Sequence, residues 1–348
     1  MSESVRAALA AVVDGSTLDF DAARAAMGSV MDGEATSAQL AGLLVALRMR
    51  GESVDELAGF AAAMRERVVR VAAPAGAIDV VGTGGDRSGT FNISTASALV
   101  VSAAGVPVAK HGNRAITSRS GSADVLEALG IRMDHTADSA AADLAGHGFA
   151  FMFAPNFHPA MRHAGPTRRE IGVRTAFNLL GPLTNPAGVT RMLLGVGDAE
   201  AARKVAAVAR RLGTERTFVV HGDGLDELPL DGSGVLADVS ADGIDTRPVV
   251  AAALGLRAAP TSALAGGMPE ENARSVEAVL AGEDGVRRDV VLLNAGAALV
   301  VAGRAADLSA GIALAAATID SGGASQLLGR LREAKRTADA ARVVEGEA

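Results

Sequence analysis

The chain has no cysteine, no tryptophan and no tyrosine among its 348 residues. Without cysteine there are no disulfides, thiolate metal sites or thiol nucleophiles, and the redox compartment stays open. Nine Phe are the only aromatics, so the core has to be built from Ala, Val and Leu. No apolar run reaches the roughly 18 residues that a membrane-spanning helix needs. The N-terminal stretch, with Glu3 and Arg6 in an amphipathic pattern, does not read as a signal peptide. A basic stripe is missing too. The formal net charge of −7 argues against a generic nucleic-acid partner, though not against a local basic pocket for an anionic substrate. What is present, 49% hydrophobic and 21% charged residues, suits a globular chain with one large domain and a smaller one.

Residues 1–70 read as helices. An apolar stripe covers 5–13 and ends before Gly15, and Asp19 can cap 20–31. Thr36 with Gln39, and Ser53 with Glu56, have capping-box spacing ahead of helices over 40–49 and 57–69. By itself this is a helical bundle without chemistry. The segment 72–76, Ala-Ala-Pro-Ala-Gly, reads as a crossing into a second domain. From residue 78 short apolar strands (77–81, 106–109, 149–153, 192–196, 217–220) alternate with helices. That alternation predicts an α/β domain with a mostly parallel sheet covered by helices. The last residues, 343–348, read as frayed.

Polar motifs cluster just after these strands. Gly82-Thr83-Gly84-Gly85-Asp86 follows the first strand, and a helix begins near Asn92 with Asn92 or Ser94 as its cap. A strand, a glycine turn and a helix N-terminus form an anion site. The turn is neither a P-loop nor a dinucleotide fingerprint, because the Gly-Lys-Ser/Thr ending and the Gly-x-Gly-x-x-Gly spacing are absent. The second strand is expected to deliver Lys110, His111, Asn113 and Arg114 to a loop, with lysine as a mobile charge suited to phosphate. Thr117, Ser118, Arg119, Ser120, Gly121 and Ser122 form either a solvated loop or a flap that closes on a charged ligand. Asp223, Asp226 and Glu227 follow the fifth strand, where they form either a solvated acidic turn or a Mg²⁺ site. The six His show no metal spacing. His111 and His221 lie in motif loops, His135, His147, His158 and His163 read as surface or structural, and no Ser-His-Asp constellation stands out.

These motifs, in this order, resemble the anthranilate phosphoribosyltransferase family of the nucleoside-phosphorylase-like phosphoribosyltransferases. The likeness continues through Phe157-His158-Pro159-Ala160-Met161-Arg162-His163, Thr167-Arg168-Arg169-Glu170-Ile171-Gly172, Phe177-Asn178-Leu179-Leu180-Gly181-Pro182-Leu183-Thr184-Asn185-Pro186, His221-Gly222-Asp223-Gly224-Leu225-Asp226-Glu227, Glu271-Asn272-Ala273-Arg274 and Asp289 to Asn294. It covers essentially the whole chain. It implies a cytoplasmic homodimeric enzyme of tryptophan biosynthesis that moves the phosphoribosyl group of 5-phosphoribosyl diphosphate (PRPP) to the amine of anthranilate, with no membrane or nucleic-acid partner. A small discontinuous helical domain, residues 1–72 with a returning segment at about 161–188, would carry the dimer interface. Residues 73–160 and 189–348 would form the PRPP-binding domain.

The resemblance also places the ligands. PRPP falls to Gly82, Gly84, Gly85, Asp86, Thr90, Asn92, Ser94, Thr95, Lys110 and Ser122. Anthranilate falls to Gly82, Asn113, Arg168, His111, Pro155 and Gly181, with Arg168 rather than Arg169 on the carboxylate. Two Mg²⁺ ions fall to Ser94, Asp226 and Glu227. No catalytic acid or base is expected, since an aromatic amine is already unprotonated at neutral pH. Met161 stands where some relatives carry an aromatic, and Leu228-Pro229-Leu230-Asp231 replaces a Ser/Thr-rich continuation. Two other readings remain: a pyrimidine-type nucleoside phosphorylase of the same fold, and a non-catalytic paralogue that binds nucleic acid.

Overall fold

The computed structural model describes residues 1–86, 88–115 and 119–346. Thr117 and Ser118 of the expected flap therefore lie outside the described residues. The chain opens with four helices, α1 (Glu3–Val13), α2 (Phe20–Met31), α3 (Ser37–Arg50) and α4 (Val54–Glu66). Their caps are those expected. Asp19 accepts from the Ala22 N–H, and Thr36/Gln39 and Ser53/Glu56 close reciprocal boxes. Glu56 also fastens the bundle internally. It is fully buried, pairs with Arg50 and accepts from the backbone N–H of Leu18 (2.9 Å) and Ser53 (2.7 Å). Burial alone would raise its pKa, but the bonds from Arg50 and the two N–H groups outweigh it and hold the carboxyl below its usual range.

The rest of the chain winds around one sheet: β1 (Ile78–Gly82), α5 (Ile93–Ala103), β2 (Val108–Gly112), α6 (Ser122–Ala128), α7 (Ala137–His147), β3 (Phe149–Phe153), α8 (Ala154–Phe157), α9 (Gly165–Ile171), α10 (Phe177–Leu180), β4 (Arg191–Gly195), α11 (Ala199–Arg211), β5 (Arg216–His221), β6 (Gly234–Ser240), β7 (Ile244–Val249), α12 (Pro269–Leu280), α13 (Val286–Val301), α14 (Leu308–Asp320) and α15 (Gly323–Gly346). The strand order is β3-β2-β1-β4-β5-β6-β7. The first five strands in that order run parallel, and β6 and β7 are antiparallel additions.

Strand residues alternate between two apolar layers, as the period of two requires. Ile78, Val80, Val108, Phe149, Phe151 and Leu193 face the layer under α5, α6 and α12 to α15. Ala109, Ala150, Met152, Met192 and Leu194 face the other layer, which runs without interruption into the α1–α4 bundle. The bundle is thus packed onto one face of the sheet. Segment 157–187 lies between them. The Val69 N–H donates to Phe157 O (2.9 Å), the Val71 N–H to Pro186 O (3.1 Å) and Arg65 Nε to Leu183 O (2.6 Å).

Some boundaries differ from expectation. β1, β2 and β5 continue one to three residues past the apolar runs, because buried polar residues such as Lys110 and His111 extend the ladder. The β6–β7 hairpin carries no apolar run in its outer strand, where only Val249 is buried and Pro248 sits on the sheet edge, the place a strand tolerates it. The expected fraying at 343–348 is not seen through Gly346, where α15 ends. Residues 347 and 348 lie outside the described residues.

Candidate active site

The strand order reverses between β1 and β4, and in open α/β sheets ligands gather outside the carboxyl ends of the strands at such a point. Here the two strand ends are glycines paired in register, Gly82 with Gly195. Both are needed for space. A Cβ on Gly195 would overlap the Asp226 carbonyl, and one on Gly82 would meet the Asp226 carboxylate. Asp226, from the β5–β6 loop, therefore lies across the switch point, where its Oδ2 accepts from the Gly84 N–H (2.8 Å). Gly84 and Gly85 turn the chain with φ of +66° and +70°, angles that disfavour a side chain.

Three carboxylates meet there. Burial, with the nearby Asp86 charge, pushes Asp226 up to about 7. Burial and the Asp226 charge raise Glu227 well above its ordinary value. Asp86 Oδ2 is buried without a hydrogen-bond partner among the described residues. Asp223, by contrast, is exposed and turns outward, with its N–H donating to Ser233 Oγ (3.0 Å). The departure at Leu228–Leu230 has a structural function. Both leucines are buried, and Asn294 on α13 brackets Leu228, accepting from its N–H (2.9 Å) and donating to its carbonyl (3.0 Å). That clamp fixes the loop carrying Asp226 and Glu227.

The end of β2 presents opposite faces to the two halves of the cleft. Lys110 points toward α5 and is 1% exposed, with Nζ donating to Val80 O (2.5 Å) and Ser94 Oγ (3.5 Å). It is a fixed buried cation in the strand, not the mobile loop residue expected. Burial lowers its pKa, against the opposing charges of Asp79, Glu227 and Asp226. Glu227 in turn accepts from the Ser94 backbone N–H. Thr95 is fully buried, and its hydroxyl has no partner among the described residues.

Asn92 precedes α5 but its side chain does not cap the helix. It donates to Ser120 O (3.2 Å) and accepts from Asn272 (2.9 Å), joining the base of the 115–121 loop to α12. Nor does Ser94 serve as the cap; it sits inside the helix. Thr90 is bridged to Ala265. Ser122 opens α6 beside Gly112.

His111, one residue on from Lys110, points to the opposite face and is buried within β2, not in a loop. Its Nε2 stands 3.1 Å from Nε2 of His158, and its ring N–H serves the Gly181 carbonyl. At that distance one of the two Nε2 atoms carries the hydrogen and the other accepts it. Burial, helped by the neighbouring imidazole, pushes His111 down to about 3, and burial pushes His158 down to about 4. His158 is thus a buried partner of His111, a relationship no local pattern signals. His135 is buried as well, while His163 is exposed.

The ring of Phe177, which opens α10 just before Gly181, lies 4.6 Å from the Arg168 guanidinium. Arg168 is half-buried, has no carboxylate partner among the described residues, and burial lowers its pKa, whereas Arg169 is exposed. Arg114 is occupied by Asp124 (2.9 Å) and Glu127 (2.7 Å), which raise its pKa. Asn113 and Pro155 lie just past the paired ends of β2 and β3. The Asn113 side-chain oxygen accepts from the Arg114 N–H (2.8 Å), and Pro155 is exposed. Met161 packs on the apolar layer shared with the bundle.

Beneath both faces sits Asp79, fully buried in β1. It accepts from the His111 N–H (3.3 Å) and Asn185 Nδ2 (2.7 Å), and Asn185 also donates to Ala109 O (2.8 Å). Gly195, Asp79, Asn185 and Asn294 were not expected as site residues. Only the Asn-Pro end of the 177–186 motif and the end of the 289–294 motif pointed toward two of them.

This is the architecture of a phosphoribosyl-type transferase: a helical bundle seated against an α/β sheet, with a glycine turn and paired carboxylates at the switch point. Residues 6–68 match the helical bundle domain of the glycosyl transferase family and residues 75–325 match its a/b domain, so the chain belongs to that family and, within it, to the anthranilate phosphoribosyltransferases. A relative from Chelativorans sp. (strain BNC1), named anthranilate phosphoribosyltransferase, is 50% identical over 94% of this chain and 97% of its own length. The solved enzyme of that name from Thermus thermophilus superposes with a TM-score of 0.90 at 45% identity, over 94% of this chain and 99% of its own. The enzyme from Saccharomyces cerevisiae in complex with PRPP and Mg gives 0.87 at 28% identity, over 97% and 99% of the two chains. The same yeast enzyme with 4-fluoroanthranilate gives 0.84 at 26%, over 95% and 98%.

Proposed function

We infer that this chain transfers the 5-phosphoribosyl group of PRPP to the amine of anthranilate, giving N-(5-phosphoribosyl)anthranilate and diphosphate. The observation that carries the reading is the full-length likeness to enzymes of that name, about half identical in sequence, joined to a matching cleft. The amine lone pair forms the new bond to C1′ as the C1′–O bond to diphosphate breaks. The bonding pair leaves with diphosphate, and the amine proton goes to solvent. The work for the protein is positioning and charge stabilisation.

The site assignments are proposals. PRPP takes Gly82, Gly84, Gly85, Asp86, Thr90, Asn92, Ser94, Thr95, Lys110 and Ser122, on the α5 side of β2. Anthranilate takes the opposite side, with Arg168 on its carboxylate and Gly82, Asn113, His111, Pro155 and Gly181 around it. His111 has both ring nitrogens engaged, so it lines the channel and is not a base. Mg²⁺ suits the donor set. Asp226 and Glu227 are buried like charges whose protons a dication would replace, beside Ser94 and the unpartnered Asp86 oxygen. Among the described residues no group of three or more His, Asp or Glu could by itself hold a metal ion; Mg²⁺ takes few protein oxygens and completes its shell with substrate phosphates. When bound, Mg²⁺ supplies charge neutralisation of the diphosphate. Two ions per subunit is the finer proposal.

We also take residues 1–72 with 161–188 as one helical unit and the remainder as the PRPP-binding unit, supported by the bonds of Arg65 to Leu183 and Val71 to Pro186. The bundle exposes Val13, Val45 and Met49, which supports a homodimer through it. A cytoplasmic location is part of the same reading. Among the described residues no helix is long and apolar enough to cross a membrane.

The test is loss of anthranilate fluorescence on mixing protein, PRPP and Mg²⁺, with each left out in turn. Consumption that needs all three is the expected result. No consumption at any Mg²⁺ concentration, with phosphate-dependent cleavage of a pyrimidine nucleoside instead, would overturn the assignment. Light scattering checks the dimer.

A further inference from the structure

Arg174 lies between α9 and α10, on the segment that returns to the bundle, yet its side chain crosses to the glycine turn after β1. Its Nη1 donates to both Gly84 O and Gly85 O, at 3.0 Å each. The two carbonyls take the place of a carboxylate, for Arg174 has no acidic partner among the described residues. A Cβ on Gly85 would collide with this guanidinium, so the glycine makes room for Arg174 as well as for the turn.

The orientation has a consequence for the turn. In a trans peptide the carbonyl of one residue and the N–H of the next point in opposite directions. Holding the Gly84 and Gly85 carbonyls toward Arg174 therefore aims the N–H groups of Gly85 and Asp86 away from it. Neither N–H has a protein acceptor among the described residues, whereas the neighbouring Gly84 N–H is taken by Asp226. Two adjacent, unpaired N–H groups held by one cation form an oxyanion-binding nest.

We propose that Arg174 is a positioning residue for the phosphate-bearing donor: it fixes the peptide planes of the glycine turn and ties the seating of the returning segment to donor binding. The proposal rests on reading the turn as part of the PRPP site. A surface arginine that only braces a loop would affect stability and both substrates alike. A residue that sets the turn would act on the donor selectively.

The experiment compares Arg174→Ala, Arg174→Lys and wild type for KM of each substrate, kcat and substrate-free Tm. Arg174→Ala should raise KM for PRPP at least about tenfold, leave KM for anthranilate within about threefold and leave Tm nearly unchanged, with Arg174→Lys intermediate. A KM for PRPP within about twofold of wild type, or equal losses on both substrates with a fallen Tm, overturns the proposal. Calorimetric titration with inorganic diphosphate and Mg²⁺ reads the turn without turnover. Binding about tenfold weaker in Arg174→Ala supports the role and equal binding overturns it. An inactive wild type would strike the transferase reading itself, while the diphosphate titration still decides the role of Arg174.

Discussion

His111 and His158 form a buried imidazole pair, Nε2 to Nε2 at 3.1 Å. Forty-seven positions separate them in the chain. β2 brings one to the cleft and the turn after α8 brings the other, so the acceptor side of the site is set by a contact between two different elements.

Removing one ring tests that relationship. His158→Leu leaves His111 Nε2 buried without its partner and is expected to cost about 1–3 kcal/mol of stability. It should raise KM for anthranilate and spare KM for PRPP, because Lys110 and Ser94 lie on the opposite face of the strand. His158→Asn, which keeps an N–H donor, should retain more of both. Nitrogen-15 imidazole spectra check the tautomer directly. With Gly181 served by the other His111 nitrogen, the expected tautomer is bare at His111 Nε2, and a wild-type His111 protonated there would contradict it.

The pH dependence of stability sets two groups of residues against each other. Burial depresses His111 to about 3 and His135 and His158 to about 4 in the folded protein. Their contribution is complete above the unfolded value near 6.5 and is lost as pH falls from there to about 4 for His135 and His158 and about 3 for His111. Burial raises Asp79 to about 6, Asp226 to about 7 and Glu227 further. Their contribution is complete below about pH 4 and is lost as pH rises through 6 to 7. In EDTA, Asp226→Asn with Glu227→Gln should therefore be more stable than wild type at pH 7. On acidification from 6.5 to 4 it should lose stability more steeply, by up to about 2.7 kcal/mol per pH unit for the two protons removed. Urea unfolding across that range checks both signs. The same variant should show no Mg²⁺-dependent turnover.

Gly195 has no chemistry of its own, yet Gly195→Ala would drive a methyl group into the Asp226 backbone. The expected destabilisation is about 1–3 kcal/mol, with loss of PRPP use as the carboxylates shift. A variant with wild-type kcat and KM for PRPP would show that the Asp226 loop moves aside freely.

Two adjacent arginines should behave differently. Arg168, half-buried over Phe177 and without a carboxylate partner among the described residues, should on replacement by alanine raise KM for anthranilate by about a hundredfold, as expected for loss of a charged hydrogen-bonding partner of roughly 3 kcal/mol. Arg169→Ala, at an exposed position, should stay within about twofold of wild type. Steady-state kinetics on the two variants decides it, and equal effects would mean that neither side chain binds the carboxylate.

Where the signal is local, the sequence carried it. The caps at Asp19, Thr36 and Ser53, the five parallel strands, the glycine turn and the acidic pair were readable because each depends on neighbours within a few positions. Asn92 shows the limit. Its position before α5 suggests a cap, but the tertiary structure offers it Ser120 and Asn272 instead, and those bonds replace the local one. Lys110 shows another. A lysine after an apolar run reads as a loop residue, while the folded sheet buries it between carboxylates that compensate its charge.

The amino-acid sequence by itself determined the element types, the two-part organisation and, through its motifs, the family. Only the tertiary structure decided which faces those motifs take. The period of two along β2 sends Lys110 to one side and His111 to the other. The reversal of strand order between β1 and β4 opens the space that two glycines leave for Asp226, while the turn after α8 brings His158, and the stretch between α9 and α10 brings Arg174, to residues far away in the chain. These are relations across a sheet, fixed by pleat, register and crossover, and no stretch of sequence contains both partners.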